Sequence, residues 1–145
     1  MISFFSVNIT YKLKDKRKIQ KWIKLVIEGE KKKSSDINYI FCDDTFLTEM
    51  NIKYLNHDTL TDIITFNYNE ENNNLITGDI YISIDRVKEN SDKFKVPFIT
   101  ELHRVIIHGV LHLLGYKDKT KADKNTMREK EDNCLSLLHN YINIM

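Results

Sequence analysis

At 145 residues the chain is long enough for one compact domain and too short for two ordinary ones, so residues 1–145 are expected to form a single domain. Its 41% hydrophobic and 30% charged residues are typical of a folded globular protein. Because 22 Lys and Arg nearly balance 21 Asp and Glu, the net charge is only +1, which excludes a uniformly basic nucleic-acid coat protein or an acidic tail protein. No stretch approaches the roughly 18–20 apolar residues of a membrane span and the N-terminus lacks the features of a signal peptide, so a cytoplasmic protein with no membrane partner is expected.

The first half of the chain predicts two strands, each followed by a helix. Residues 2–13 are apolar and rich in β-formers, which indicates a strand. The helix after it ends at Gly29 and carries one apolar stripe at helical spacing, formed by Ile19, Trp22, Ile23, Val26 and Ile27. Residues 37–42 alternate in a β-rich pattern that predicts the second strand, and Asp43 or Asp44 can cap the helix behind it.

The central part of the chain predicts two more strands and a short helix. Strands are expected at residues 63–68 and 76–84, joined by a polar turn at residues 70–74. Ser83 can cap a short helix that reaches residue 93.

Two longer helices complete the pattern. Pro97 suits the first turn of a helix over residues 98–114, and Gly115 can end that helix in the left-handed conformation. Thr120 and Asp123 resemble a capping box that starts the last helix. Because strands and helices alternate without repeats or linkers, the sequence predicts an α/β (α+β) domain, with a mixed sheet of about four strands surrounded by helices.

Two histidines of the helix predicted at residues 98–114 have the spacing of metal ligands. His108 and His112 are four residues apart, so their imidazoles leave one helix face about one turn apart. If Gly115 turns the chain back, Asp118 can add an oxygen ligand. Two nitrogens, one carboxylate and an open position are typical of a catalytic metal site, since four protein ligands usually close a structural one. We therefore predict a central metal-binding helix, with His108, His112 and Asp118 as ligands.

The residue that follows the first histidine argues against a zinc protease. The H-E-x-x-H motif of those enzymes carries a general-base Glu where this chain has Gly109. Without that proton acceptor, a small metalloprotease is an unattractive alternative. Gly109 is expected instead to let the helix lie close to the sheet.

Residues 108–118, H-G-V-L-H-L-L-G-Y-K-D, closely resemble the signature H-G-x-L-H-L-x-G-Y-x-H of the YbeY family. Members of this family are bacterial rRNA maturation factors described as single-strand-specific metallo-endoribonucleases. Residues 51–66, which contain the run T-D-I-I-T-F, look like the segment before and within the family's central strand, and residues 78–83 look like its next strand. With these motifs in the family's order, the resemblance covers residues 37–135.

The resemblance implies a function for the predicted metal site. It implies a metal-dependent endoribonuclease that binds one Zn²⁺ per chain and cuts single-stranded RNA, with His108 and His112 at the catalytic centre. The implied substrate is precursor small-subunit (16S) rRNA near its 3′ end, in rRNA maturation and ribosome quality control. The implied partners are the small ribosomal subunit, a small-subunit ribosomal protein and an assembly GTPase.

Asp118 is a departure from this family, which commonly has a histidine as its third metal ligand. A carboxylate is harder than an imidazole and anionic, so it lowers the net charge and the Lewis acidity of the site. Since two His and one carboxylate also bind iron, manganese or nickel, zinc is implied by the resemblance and not by the ligands.

Leu55 is a second departure, because many family members have an arginine at this position that is thought to help at the phosphate. Leucine cannot stabilise the charge of a pentacovalent phosphorane. Arg104 precedes His108 by four residues and shares its helix face. Our hypothesis is that Arg104 is catalytic and contacts a substrate phosphate bidentately. The alternative is an ion pair between Arg104 and an acidic residue.

Other residues near these motifs have structural interpretations. Three polar residues before the third strand are expected to satisfy loop backbone donors: Asp58, Thr61 and Asp62. Asp79 can orient a ligand histidine or bond to loop backbone. Phe66 and Tyr81 are expected in the core, and His103 is expected outside the site.

Charge is unevenly distributed along the chain. Residues 12–33 hold ten Lys and Arg against three acids, whereas residues 34–104 hold six basic residues against thirteen acids. The basic region is either a solvated helix face or a surface that attracts the RNA backbone in a salt-dependent way.

A non-catalytic function is the alternative that the two departures support. In that case the protein binds rRNA or a ribosomal protein as an assembly factor and cuts nothing. The metal is then structural and locks the turn from Gly115 to Asp118 onto the helix, so that it protects the protein against unfolding.

Overall fold

Four strands form one mixed sheet in the computed structural model, which describes residues 1–144 and the side chains of residues 1–141. The strands are β1 (Ile2–Ser6), β2 (Lys33–Cys42), β3 (Ile63–Asn67) and β4 (Leu75–Ser83), in the order β1-β2-β4-β3 across the sheet. β1, β2 and β4 are parallel, and β3 pairs antiparallel with β4 at one edge. The predicted mixed sheet of four strands is confirmed. Residue 145, at the end of the predicted domain, lies outside the described residues.

Five helices surround this sheet: α1 (Lys16–Gly29), α2 (Asp44–Leu55), α3 (Ile84–Phe94), α4 (Phe98–Leu113) and α5 (Lys121–Ile144). Three of them begin with the predicted caps. The side chains of Asp43, Ser83 and Thr120 each accept a hydrogen bond from a backbone N–H of the following helical turn, at 2.8, 3.3 and 3.0 Å. Within residues 1–144 no helix has the length and apolar character needed to cross a membrane.

The first strand is shorter than predicted. It was expected over residues 2–13 but ends at Ser6, where the chain turns. Asn8 has a left-handed backbone with φ of 62°, and the Ser6 hydroxyl donates to the Tyr11 carbonyl at 2.7 Å. Leu13 is nevertheless buried in the core. Ile9 and Tyr11, partly buried, pack against the core with it, so the later apolar residues of this segment contact the core from a loop.

α4 is the central helix, and it packs on the sheet with α1, α3 and α5 around it. Nine of its sixteen residues are buried. A Cβ atom at Gly109 would lie 2.9 Å from Ile80 Cγ2 and 3.1 Å from Ile63 Cδ1, which is closer than side chains pack. The prediction that Gly109 lets this helix lie close to the sheet is confirmed. We call the sheet face beneath α4 the inner face.

The opposite, outer face of the sheet is covered only in part. α2 packs there against β3 and β4, over a small buried cluster of Cys42, Leu47 and Ile64. Phe66 and Tyr81, which are predicted to lie in the core, pack half-buried against this second cluster and not against the larger core under α4. The cause is strand alternation, which points these two side chains away from α4.

Candidate metal centre

Two histidines of α4 and one aspartate beyond its end converge on a single point. The Nε2 atoms of His108 and His112 lie 2.9 Å apart, and Asp118 Oδ2 lies 3.3 Å from each of them. Donor atoms of a tetrahedral Zn²⁺ site with bonds of about 2.0–2.1 Å are separated by about 3.3 Å. The three side chains that the sequence singled out are thus brought together, and their donors fit one metal ion.

The turn after α4 brings Asp118 back to the histidines. Gly115 has a φ of 105°, which a residue with a side chain adopts at a cost. Its N–H donates to the His112 carbonyl, and the Tyr116 N–H donates to the Leu111 carbonyl, both at 3.0 Å. These two hydrogen bonds form a Schellman motif that ends the helix and reverses the chain.

The other nitrogen of each imidazole faces a hydrogen-bond acceptor. His108 Nδ1 lies 2.6 Å from Glu131 Oε2, and His112 Nδ1 lies 3.1 Å from the Tyr116 carbonyl oxygen. Carboxylate and carbonyl oxygens only accept, so each Nδ1 carries a proton and donates. In neutral rings the two Nε2 lone pairs then face each other and the Asp118 carboxylate. Such an arrangement repels itself unless a cation, either a proton or a metal ion, lies between the donors.

Glu131 belongs to an ion-pair network that joins α4 to α5. Its side chain is 6% exposed, and it accepts a hydrogen bond from Arg104 Nη1 at 2.9 Å. Arg104 Nη2 donates to Asp132 at 2.7 Å. Arg104, which is 16% exposed, thus forms the ion pairs that the sequence analysis gave as the alternative to a phosphate contact.

Sequence analysis missed Glu131, although the sequence contains a signal for it. The buried face of α5 is formed by apolar residues at helical spacing, namely Met127, Cys134 and Leu138. Glu131 lies on this same face and is the only acid on it within the described residues. A charged residue at such a position usually has a buried partner.

An open cleft of about 410 Å³ borders the three candidate ligands. Asp62, Glu101, Arg104 and Arg128 also line it. Burial raises the pKa of both the Asp62 and the Glu101 carboxyl groups. Asp62 was expected to satisfy loop donors; it does bond to its own backbone N–H, but it also faces the cleft.

The two histidines have pKa values shifted in opposite directions. Burial disfavours the charged form of His108, but the hydrogen bond and charge of Glu131 outweigh it and raise the pKa of His108. Burial and the neighbouring His108 charge lower the pKa of His112, although Asp118 opposes this. His108 therefore takes up a proton before His112 does. A single proton can lie at His108 while His112 stays neutral, as expected for two rings that share one cation.

Three residues discussed from the sequence lie away from the ligands. Asp79 is on the outer face, where it accepts hydrogen bonds from Asn38 at 3.1 Å and Tyr68 at 3.3 Å, so it orients neither histidine. The His103 ring packs edge-on against Trp22, outside the cleft. Leu55 is the last residue of α2 and is exposed.

Comparison with known proteins finds similarity along almost the whole chain. A family model described as Endoribonuclease YbeY matches residues 5–139. The protein named Endoribonuclease YbeY from Flavobacterium psychrophilum is 55% identical over 96% of this chain and 97% of its own length. The Flavobacterium johnsoniae protein of the same name is 47% identical over 93% and 96%. The solution structure of a Thermotoga maritima protein matches with a TM-score of 0.68 at 25% identity, over 99% of this chain and 92% of that one.

Proposed function

Because the chain belongs to the Endoribonuclease YbeY family, whose members cleave RNA and take part in rRNA processing, we propose that it is a metal-dependent endoribonuclease for single-stranded RNA. The observation that carries this proposal is the convergence of His108, His112 and Asp118 on one point at the wall of an open cleft. The proposed substrate is precursor small-subunit rRNA near its 3′ end. The proposed setting is the cytoplasm, with the small ribosomal subunit, one of its proteins and an assembly GTPase as partners.

The proposed metal is one Zn²⁺ ion per chain, held by His108, His112 and Asp118. When bound, such an ion supplies a Lewis acid for a phosphate oxygen and lowers the pKa of a bound water molecule. Glu131 and the Tyr116 carbonyl hold the two imidazoles in the orientation and tautomer that ligation needs. The carboxylate of Asp118 offsets one charge of a divalent ion, which leaves the site positive toward a phosphodiester.

Two arginines can meet the substrate phosphate. Arg104 lines the cleft, but Glu131 and Asp132 already bind its guanidinium, so a bidentate phosphate contact requires it to exchange at least one of these partners. Arg128 also lines the cleft, is exposed, and takes part in no salt bridge among the described side chains. We therefore propose Arg128 as a phosphate ligand beside the predicted Arg104.

The cleft also contains a group able to accept a proton. The carboxyl of Asp62 lies within electrostatic reach of His108, and burial raises its pKa. A carboxyl group with a raised pKa is a better base near neutral pH than an exposed one. We propose that Asp62 takes the proton of the attacking water or ribose hydroxyl.

The basic region of the chain is proposed to attract the RNA backbone. The ten Lys and Arg of residues 12–33 form no salt bridge with any carboxylate among the described residues. Charges that are not neutralised within the protein remain available to phosphates, and their effect weakens with salt.

Cleavage of an end-labelled RNA that spans the small-subunit rRNA 3′ end tests the proposal. Wild type, His112→Ala and His139→Ala are purified in parallel, since His139 is an exposed histidine of α5 that does not line the cleft and serves as the matched control. We expect wild type and His139→Ala to cut, and His112→Ala or chelator-treated wild type to be inactive while still folded. Equal cutting by all samples would mean contamination, and no cutting by any would favour the assembly-factor alternative.

A further inference from the structure

A cluster of aromatic rings lies on the outer face of the sheet, beside the end of α2. The ring centres of Phe66 and Tyr81 are 5.8 Å apart, Tyr54 lies 5.9 Å from Phe66, and Phe46 lies 6.2 Å from Tyr81. Tyr68 follows β3 on the same face. Tyr54 and Tyr68 are 55% and 54% exposed. These five residues, which we call the aromatic surface, have no part in holding the metal ligands.

A concave pocket of about 340 Å³ opens within the aromatic surface, lined by Phe46, Glu49, Met50, Lys53, Tyr54 and Tyr81. Lys53 Nζ lies 5.1 Å from the centre of the Tyr54 ring, so an ammonium group stands beside the aromatic wall, with Glu49 as the one acid of the lining. Aromatic walls accept a flat ring by stacking, and the ammonium group can pair with a phosphate linked to that ring through a sugar. A nucleotide of a single-stranded nucleic acid has both features.

The aromatic surface and the metal cleft lie on opposite faces of the same edge strand, β3. Adjacent residues of this strand face opposite sides, so Thr65 lines the cleft while Phe66 belongs to the aromatic surface. β3 is at the edge of the sheet, and among residues 1–144 no further strand lies beyond it. The loop after α2 is exposed at residues 56–60 and leads to Thr61 in the cleft wall. A flexible strand bound in the cleft can therefore reach the outer face within a few nucleotides.

We infer that the aromatic surface binds unpaired bases of the RNA by stacking, while the neighbouring segment of the same strand occupies the metal cleft. This inference rests on the proposed function for RNA as the substrate. Bases inside a duplex are already stacked and paired, so only a single strand can place them on these rings. Because every base has a π-face, the surface selects for single-strandedness and not for sequence.

Binding of a fluorescent ten-nucleotide single-stranded RNA, followed by anisotropy, tests the inference. The measurements are made in the His112→Ala background so that the probe stays intact. Tyr54→Ala is expected to weaken binding roughly 5- to 100-fold, the effect of losing one stacked base, and Tyr68→Ala to weaken it in the same direction. Tyr54→Phe keeps the ring and is expected to keep the affinity. Phe5→Ala is the matched control, since Phe5 is 53% exposed at the opposite edge of the sheet.

A second probe separates stacking from charge. In an abasic ribose-phosphate oligomer of the same length there is nothing to stack, so Tyr54→Ala is expected to leave its affinity unchanged. An unchanged affinity of Tyr54→Ala and Tyr68→Ala for the intact RNA would overturn the inference and leave a protein as the occupant of this surface. If wild type cleaves RNA but the tyrosine variants bind RNA as tightly as the parent protein, only the stacking inference is refuted and the nuclease proposal stands. If the tyrosine variants bind RNA more weakly but wild type cleaves no RNA, the nuclease proposal is refuted and the stacking surface is retained.

Discussion

Replacing Glu131 by glutamine isolates the effect of the carboxylate behind the metal ligand His108. The Glu131 Oε2 atom lies 2.6 Å from His108 Nδ1, and the side chain is only 6% exposed, so the hydrogen bond is charge-assisted and shielded from water. Partners of this kind orient the imidazole and raise its basicity, and their loss typically costs about 10–100-fold in metal affinity. Glu131→Gln keeps the size of the side chain and one acceptor oxygen but removes the charge. We therefore expect the Kd for Zn²⁺ to rise about 10–100-fold.

Competition with a chromophoric chelator measures this Kd directly. Glu129→Gln is the matched control, since Glu129 is an exposed acid on the same helix. At a fixed metal concentration above both Kd values, the weaker binding also removes about 1.4–2.7 kcal/mol of metal-dependent stabilisation. Unfolding of the metal-free proteins is measured separately, because Glu131 also pairs with Arg104 and the variant loses that ion pair as well. If Glu131→Gln were destabilised without metal but kept the wild-type Kd, Glu131 would only tie α5 to α4, and the reasoning would be refuted.

Four further variants test other parts of the structure. Asp118→Ala is expected to weaken Zn²⁺ binding at least about tenfold in the same chelator assay, since one of three ligands is lost. Arg128→Ala is expected to raise the KM for RNA and to make binding less dependent on salt, because one phosphate contact disappears. Gly109→Ala is expected to lower the free energy of unfolding in urea by about 1–3 kcal/mol, since the added Cβ meets side chains 2.9–3.1 Å away, whereas Gly29→Ala meets nothing within 4 Å. Burial lowers the pKa of His103 to about 4, so the unfolded state binds the extra proton first and wild type loses stability as pH falls from 6.5 toward 4. His103→Gln is expected to lack this loss, which corresponds to about 2 kcal/mol between pH 7 and pH 4.5.

Each of these expectations has a result that would contradict it. An unchanged Zn²⁺ affinity of Asp118→Ala would leave the histidines as the only protein ligands. An unchanged salt dependence of Arg128→Ala would return the phosphate contact to Arg104. Equal effects of Gly109→Ala and Gly29→Ala would mean that the helix can move away from the sheet. A parallel pH dependence of wild type and His103→Gln would show that His103 titrates normally in the folded protein.

The parts of the metal centre that could be predicted are those set by local sequence. The spacing of His108 and His112 fixes their common face as soon as the segment is helical, and a glycine at Gly115 marks the helix end. Asp118 follows this turn closely enough for its position to be inferred. Glu131 lies 23 residues beyond His108 and meets it only because α5 docks against α4. That docking depends on packing between distant segments, which periodicity within one helix does not contain.

Two differences in the fold have a related cause. The apolar segment at residues 2–13 has a strand pattern, but Asn8 turns the chain and the later apolar residues pack against the core from a loop. Phe66 and Tyr81 have strand spacing, which predicts that both lie on one side of the sheet but does not say which side α4 covers. In both cases the sequence pattern indicates that residues are apolar, while the neighbouring elements decide where they are buried.

The geometry of the turn after α4 bears on whether the metal is structural or catalytic. A structural metal would lock the segment from Gly115 to Asp118 onto the helix, but protein contacts also hold the first two residues of this segment, Gly115 and Tyr116. Two backbone hydrogen bonds close the turn, and the Tyr116 hydroxyl donates to Glu30 Oε1 at 2.6 Å. The ion pairs of Arg104 fasten α5 to α4 independently. Since protein contacts fix the start of this segment and the docking of α5, the open side of the three ligands toward the cleft is better explained by a substrate. Removal of the metal is therefore expected to abolish cleavage while the fold persists.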